Sequence, residues 1–365
     1  MRSLFLKMFY LTLLIFLFPF ISRGQETKKA DTTLPDGTEG VVFHPKSIDS
    51  VLVDSKETLA PNEFKGTYST FRIGFGYIGD FTTYSQDDTF KKQMDSLGIS
   101  LDPTFKTRDF RILGSGRLLK TKRYIGWKFA YMYDGNEKVW MMRETGITIG
   151  VPELFGHIFV GRTKEGFSMI KVMNGHSPWG YERQMAIDVI PILADGIKWF
   201  GMLPKSKIFW NLGYYNDILS KGQSFSTFQW QYVARIGWLP INDPGKKQIL
   251  HIATNLRYAK PLDGKITLKS RPESNPTPQL INTGSFAADH SNHIGAEAYY
   301  TNKRITIGSE FVTHNFHSDK GDHKFSGGNI MLSYSITGGI RPYRTDGSIY
   351  GFMDMKKKSI FKGGL

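Results

Sequence analysis

Runs of about ten residues that alternate apolar and polar side chains, an apolar leader and a high aromatic content predict an all-β chain, folded as a transmembrane antiparallel β-barrel. Alternation with period two gathers the apolar side chains on one face of each strand. A soluble sandwich buries such faces with strands of about five to six residues, whereas a bilayer requires about nine to eleven. Aromatic residues make up 14 % of the chain, including 27 Phe, 17 Tyr and 7 Trp, more than one core consumes and suited to girdles at two membrane interfaces.

The leader, MRSLFLKMFYLTLLIFLFPFISRGQ, has a basic start at Arg2 and Lys7, an apolar run from Met8 to about Ile21, and small or polar residues before Gln25. That is the pattern of a cleaved export signal over 1–24. Its loss removes Arg2, Lys7 and Arg23, so 47 basic residues become 44 against 33 acidic, and the formal charge falls from +14 to +11. Residues 25–65 are polar, without a sustained period, and read as a periplasmic N-terminal segment. The patterned barrel region occupies 66–365. There is no cysteine, which excludes disulfides, thiolate catalysis and cysteine metal sites.

The first patterned stretch contains Gly74 to Gly79, GFGYIG, which spells G-x-G-x-x-G. A dinucleotide loop needs a helix directly after the last glycine, and the polar DFTTYSQDDTF that follows has no apolar residues at helical spacing. Read with period two, Phe71, Ile73, Phe75 and Tyr77 form an apolar face opposite Arg72, Gly74 and Gly76. The same alternation recurs in YIGWKFAYMY, KIFWNLGYYND, FQWQYVARIGW, LHIATNLRY and NIMLSYSIT. In FQWQYVARIGW it assigns Phe228, Trp230, Tyr232, Ala234, Ile236 and Trp238 to the lipid side. Short turns at 120–123, 203–207, 241–247 and 301–303 alternate with longer connections, and about twelve antiparallel strands result.

The connection after FGHIFVGRTKEGF is the most distinctive, reading SMIKVMNGHSPWGYERQ. Arg162, Lys164, Lys171 and Arg183 outnumber Glu165 and Glu182 there, and Asn174, His176 and Ser177 add hydrogen-bonding groups. Folded into a barrel, such a loop replaces the hydration of a passing anion at the narrowest point. Arg72, Arg111, Arg117, Lys128, Arg235, Arg257 and Arg304 fall on the inferred lumen face, where they would attract anions. His290, His293, His314, His317 and His323 could suggest a metal site, but the pattern places them in or beside loops without a ligand frame. A hydrolase using His176 and Ser177 is disfavoured because adjacent residues do not readily form a nucleophile–base pair.

FVGRTKEGF and a loop ending in YER resemble the V-G-x-x-K-x-P-F stretch and constriction loop of the phosphate- and polyphosphate-selective porins of the O and P type. SRPES at 270–274, NTGSFAADHSNHIGAEAYY at 282–300 and FSGGNIMLSYSITGGIRPY at 325–343 resemble that family's later motifs in the same order. The resemblance covers about 65–365. It implies a trimeric outer-membrane barrel of about sixteen strands, an inward third loop and a basic anion path. The expected constriction residues are Arg162, Lys164, Lys171, Ser177 and Arg183. Phosphate or polyphosphate is the expected solute and outer-membrane lipid the surroundings, with no cofactor, metal or nucleic-acid partner. A non-selective diffusion porin is the alternative. Gly166 stands where the family has proline, and MNGHS replaces its small hydroxyl cluster. The chain stops at SIFKGGL where family members continue, so about four C-terminal strands are expected beyond it.

Overall fold

The computed structural model describes residues 8–11, 62–175, 179–219, 221, 227–336, 341–345 and 347–351. Twelve long strands form one up-and-down sheet in which each pairs antiparallel with the next. They are β1 (Thr70–Tyr84), β2 (Thr104–Arg117), β3 (Ile125–Asp134), β4 (Thr145–Val151), β5 (Gly156–Thr163) and β6 (Ala194–Leu203). The meander continues through β7 (Ile208–Asn216), β8 (Phe228–Asp243), β9 (Gln248–Pro261), β10 (His290–Asn302), β11 (Ile305–His317) and β12 (His323–Tyr334). Three short strands extend the sheet: Met8–Leu11, inside the expected signal, on Phe81–Tyr84; Glu63–Lys65 on Thr70–Arg72; and Val139–Met142 on Tyr131–Asp134.

The faces of this sheet invert the usual soluble pattern. Phe75, Tyr232, Ile294, Phe311, Ile330 and Leu332 are exposed, Ile330 at 85 %, whereas Arg235, His251, Asn255, Arg257, Glu297 and Glu310 are buried. A contiguous apolar surface of this extent is stable only against lipid. Among the described residues no helix is long and apolar enough to cross a membrane, and the strands fill that role.

Three local readings change. The segment after GFGYIG does form a helix, α1 (Asp88–Ser96), capped where Asp87 Oδ1 accepts from the Phe90 amide at 2.7 Å. It lies beyond β1, which runs five residues past Gly79, and it buries no side chain; the cap, not an apolar stripe, starts it. Phe228 points inward, 3 % exposed, because a bulge between Phe228 and Trp230 breaks the period-two pattern at the start of β8. Arg304 is exposed in the tight turn between β10 and β11 instead of on the lumen face, since pairing resumes only at Ile305.

The two ends of the sheet differ. One has short turns; the other carries α1 and a long connection from 262 to 289 with its own hairpin, Lys265–Ser270 on Ile281–Ala287. That connection reaches across to β1 and the β3 turn: Ser274 and Thr277 meet Thr82 and Tyr84 at 3.3 and 3.1 Å, and Asn275 accepts from Asn136 at 2.9 Å.

Candidate functional site

The β5–β6 connection turns inward and leans on the wall made by β8 to β11. Phe167, Ile170, Ile187 and Ile190 pack there with Tyr215, Val233 and Val312. A single helical turn, α2 (Met169–Val172), begins against two wall carboxylates. Glu297 accepts the Met169 amide at 2.5 Å and Glu310 the Ile170 amide at 2.9 Å, while the Ser168 hydroxyl donates to Glu310. These amides are among those a helix start leaves unpaired, and an anion is the favoured partner.

The two wall carboxylates and Glu165 of the loop each hold several donors. Glu297 also accepts from Arg235 Nε at 2.6 Å and His251 Nε2 at 3.1 Å, and Glu310 from the Tyr299 hydroxyl at 2.6 Å. Glu165 of the loop accepts from Arg257 Nε at 2.7 Å and Gln231 Nε2 at 3.0 Å, with Lys171 Nζ at 3.5 Å. Such multiple donors are what make a buried charge tolerable.

A second tether runs through histidine. Arg257 Nη1 lies 3.0 Å from His293 Nε2, and His314 Nε2 lies 2.8 Å from the Ala186 carbonyl of the loop. Arginine only donates and a carbonyl only accepts. The chain therefore runs from Arg257 through His293 to His314 and on to Ala186 with both imidazoles neutral.

The opposite side of the loop faces β1 to β6 and is basic. Lys128, Arg143, Lys164 and Lys198 all act on the one carboxylate of Glu144, with Lys128 Nζ 3.3 Å from it. Lys128 and Lys198 sit over the ring of Phe159 at 4.8 and 5.3 Å, a cation–π arrangement. Arg111 and Arg183 approach the loop at Gly175, where an added Cβ would stand 3.7 and 3.4 Å from their guanidinium nitrogens. Arg108 pairs with Asp80 at 2.9 Å and with Glu182, and Arg111 with Asp109.

Burial shifts the loop's own ionisable groups. It drives Lys164 well below the ordinary lysine range despite Glu144, and Lys171 down to about 7 despite Glu165. Loss of water raises Asp188 to about 6, against the Ser270 hydroxyl that holds its carboxylate.

The residues expected at the constriction thus separate. Lys164 and Arg183 belong to the basic side, whereas Lys171 is paired with Glu165 on the anchoring side. Arg162 lies in β5, fully buried and 3.0 Å from Asp195 of β6. Ser177, with His176, falls outside the described residues. Gly166 packs so tightly that a Cβ would come within 2.4 Å of Asn211 Cγ, so the family's proline has no room here.

Of the lumen set, Arg111 and Lys128 are half-buried in the basic cluster, while Arg235 and Arg257 are buried and engaged by Glu297 and Glu165. Arg117 and the exposed Arg72 lie at the short-turn end, Arg72 3.1 Å from Asn62. Arg108, Arg143 and Lys198 escaped sequence reading. Lys198 alternates with outward Ile197 and Trp199, a signal that was present, but Arg143 sits in a strand interruption where face assignment fails. The histidines lie in strands more than in the expected loops, four of them as two pairs across β10 and β11, His290 stacked on His317 at 4.8 Å and His293 against His314, while His323 lies beside Phe286; among the described residues no three His, Cys, Asp or Glu converge for a metal.

No curated protein matches the chain in sequence. Among solved structures it is similar to OmpT folded in vitro, an outer membrane protein of Vibrio cholerae, at 11 % identity over 76 % of this chain and 74 % of that one, TM-score 0.46. It is also similar to a loop L8 deletion mutant of that protein, at 11 % identity over 73 % and 77 %, TM-score 0.44. The anion-selective porin from Comamonas acidovorans aligns at 13 % identity over 74 % and 81 %, TM-score 0.36. The profile of one family, phosphate-selective porin O and P, spans residues 71–359, and the chain therefore belongs to that family of outer-membrane porins.

Proposed function

We propose that this porin passes small anions by passive diffusion, with phosphate or polyphosphate as the favoured class, through a lumen narrowed by the β5–β6 loop. The observation that carries the reading is the charge imbalance beside that loop, where Lys128, Arg143, Lys164 and Lys198 share Glu144 as their common carboxylate. Ammonium and guanidinium groups in a narrow low-dielectric passage replace the hydration of an oxyanion and repel cations. Arg111 and Arg183 extend this lining with fork-like donors suited to phosphate oxygens. The wall acids Glu297 and Glu310 bind the loop's backbone and so do not oppose an anion's passage. The reading also takes residues 1–24 as an export signal, 25–65 as a periplasmic segment and a homotrimer as the working assembly.

Reversal potentials across a planar bilayer in a KCl gradient test the selectivity, and inhibition of chloride current by inorganic phosphate tests the solute class. Chloride-selective current blocked by phosphate is expected. Equal passage of both ions would leave a general diffusion porin.

A further inference from the structure

The five short turns, between β2–β3, β4–β5, β6–β7, β8–β9 and β10–β11, all lie at one end of the barrel. They read KTKR at 120–123, PELF at 152–155, PKSK at 204–207, DPGKK at 243–247 and KR at 303–304. That is nine basic side chains against two acidic ones, Glu153 and Asp243. Nearly all are exposed; two of the nine are ion-paired, Arg123 with Glu153 at 2.7 Å and Lys246 with Asp243 at 3.6 Å, and Lys120 sits over the ring of Tyr68 at 5.4 Å. The opposite end mixes signs, as where Lys91 meets Asp95 and Asp102 at 3.6 and 3.5 Å.

The backbone adds an independent observation. Lys120, Lys207, Lys247 and Lys303 each close a turn of this end with φ of 62, 57, 58 and 55°. Glycine or asparagine adopts this left-handed conformation at lower cost than lysine. Among the described residues five lysines are left-handed and four of them stand here, the fifth being Lys138 at the other end. Lysine at these sites therefore sacrifices some turn stability and gains a charge. Position identifies what the charge meets. Outward aromatics border the turns directly: Trp238 is level with Ile208, and Trp199 and Trp210 pack edge to face at 5.0 Å, Trp199 donating to the Leu154 carbonyl at 3.2 Å. Interfacial Trp and Tyr mark headgroup depth, so the cations beyond them stand among lipid headgroups.

We propose that this basic rim binds anionic phospholipid headgroups of the adjoining leaflet, through several lysines acting as point charges on phosphodiester oxygens and the neighbouring tryptophans packing the glycerol and upper acyl region. The rim is separate from the pore lining and does not depend on what the pore carries.

The test is quenching of tryptophan fluorescence in the reconstituted full-length protein by brominated phosphatidylglycerol against brominated phosphatidylcholine. A relative binding constant of about five in favour of the anionic lipid is expected, the equivalent of one Lys or Arg at an anionic surface, falling toward one as salt is raised. Replacing Lys205, Lys207, Lys246 and Lys247 by Gln should remove most of this preference without altering single-channel conductance; these exposed turns leave the barrel folded, which gel mobility without boiling verifies. Equal quenching by the two lipids in the unmodified protein overturns the proposal. So does a preference that survives the fourfold substitution, or one that inorganic phosphate abolishes while chloride at equal ionic strength does not, since that would make the rim a site for free anions.

Discussion

His293 and His314 face each other across β10 and β11 with their Nδ1 atoms 2.6 Å apart, both side chains buried. One Nδ1 must donate and the other accept. Because Arg257 donates to His293 on its far side, His293 gives its proton to His314, which in turn holds Ala186 of the loop. An additional proton anywhere in this chain sets two N–H groups against each other. His314→Phe should leave a buried donor and acceptor unpaired at about 1–3 kcal/mol and speed tryptic cleavage at Arg183 about ten-fold. His314→Gln keeps a neutral donor and should be cut more slowly than the Phe variant. Equal cleavage in both variants and the unmodified protein would show that the tether holds nothing.

Glu165 is the point where Arg257, Gln231 and Lys171 meet. Removing its charge strands two buried cations, a loss of about 3–5 kcal/mol. Glu165→Gln should therefore lower the temperature at which the barrel's gel band shifts and raise the open conductance as the loop leaves the lumen. An unchanged melting temperature would place the anchor elsewhere.

Charge on the pore side should govern selectivity, and charge on the anchoring side should not. Lys164→Gln, Arg183→Gln and Arg143→Gln are expected to weaken phosphate block several-fold and shift the reversal potential toward zero. Arg235→Gln and Arg257→Gln, at sites neutralised by Glu297 and Glu165, should cost stability with little change of selectivity. Lys91 and Lys92, in the solvent-exposed α1, serve as controls with no effect on either reading.

Acid should strengthen anion preference. Asp188, raised to about 6, loses its negative charge as pH falls through that value. That step makes the lumen more positive between pH 7 and 5. Reversal potentials should rise across that window, and Asp188→Asn should flatten the rise; a fall in anion preference on acidification would reverse the assignment.

The exposed apolar belt gives the most direct test of the membrane setting. Phe311, 57 % exposed at the centre of β11, would tolerate arginine at the surface of a soluble protein. In lipid, Phe311→Arg should destabilise the barrel by about 2–4 kcal/mol, visible as a lower refolding midpoint in urea.

Period-two alternation made β7 to β12 legible because their apolar faces meet one uniform solvent, lipid. It failed where a local event intervened: the bulge that turns Phe228 inward, the interruption at Arg143, and the capped helix α1, whose stability owes nothing to burial. The excess of Lys and Arg in the β5–β6 loop was plain, but its division was not. Whether Lys171 serves the anchor or the pore depends on Arg257 and Gln231, which lie 86 and 60 residues further along and reach Glu165 only once β8 and β9 stand beside the loop.

The loop's attachments to Glu297 and Glu310 bridge 128 and 140 residues of chain. During biogenesis the loop is made long before the wall that receives it. Until β10 and β11 are in place, the helical turn at Met169 lacks both its carboxylates, and a partly assembled barrel holds this loop loosely. Selectivity that rests on the proposed constriction is therefore a late product of assembly, and an insertion intermediate should leak cations and anions alike.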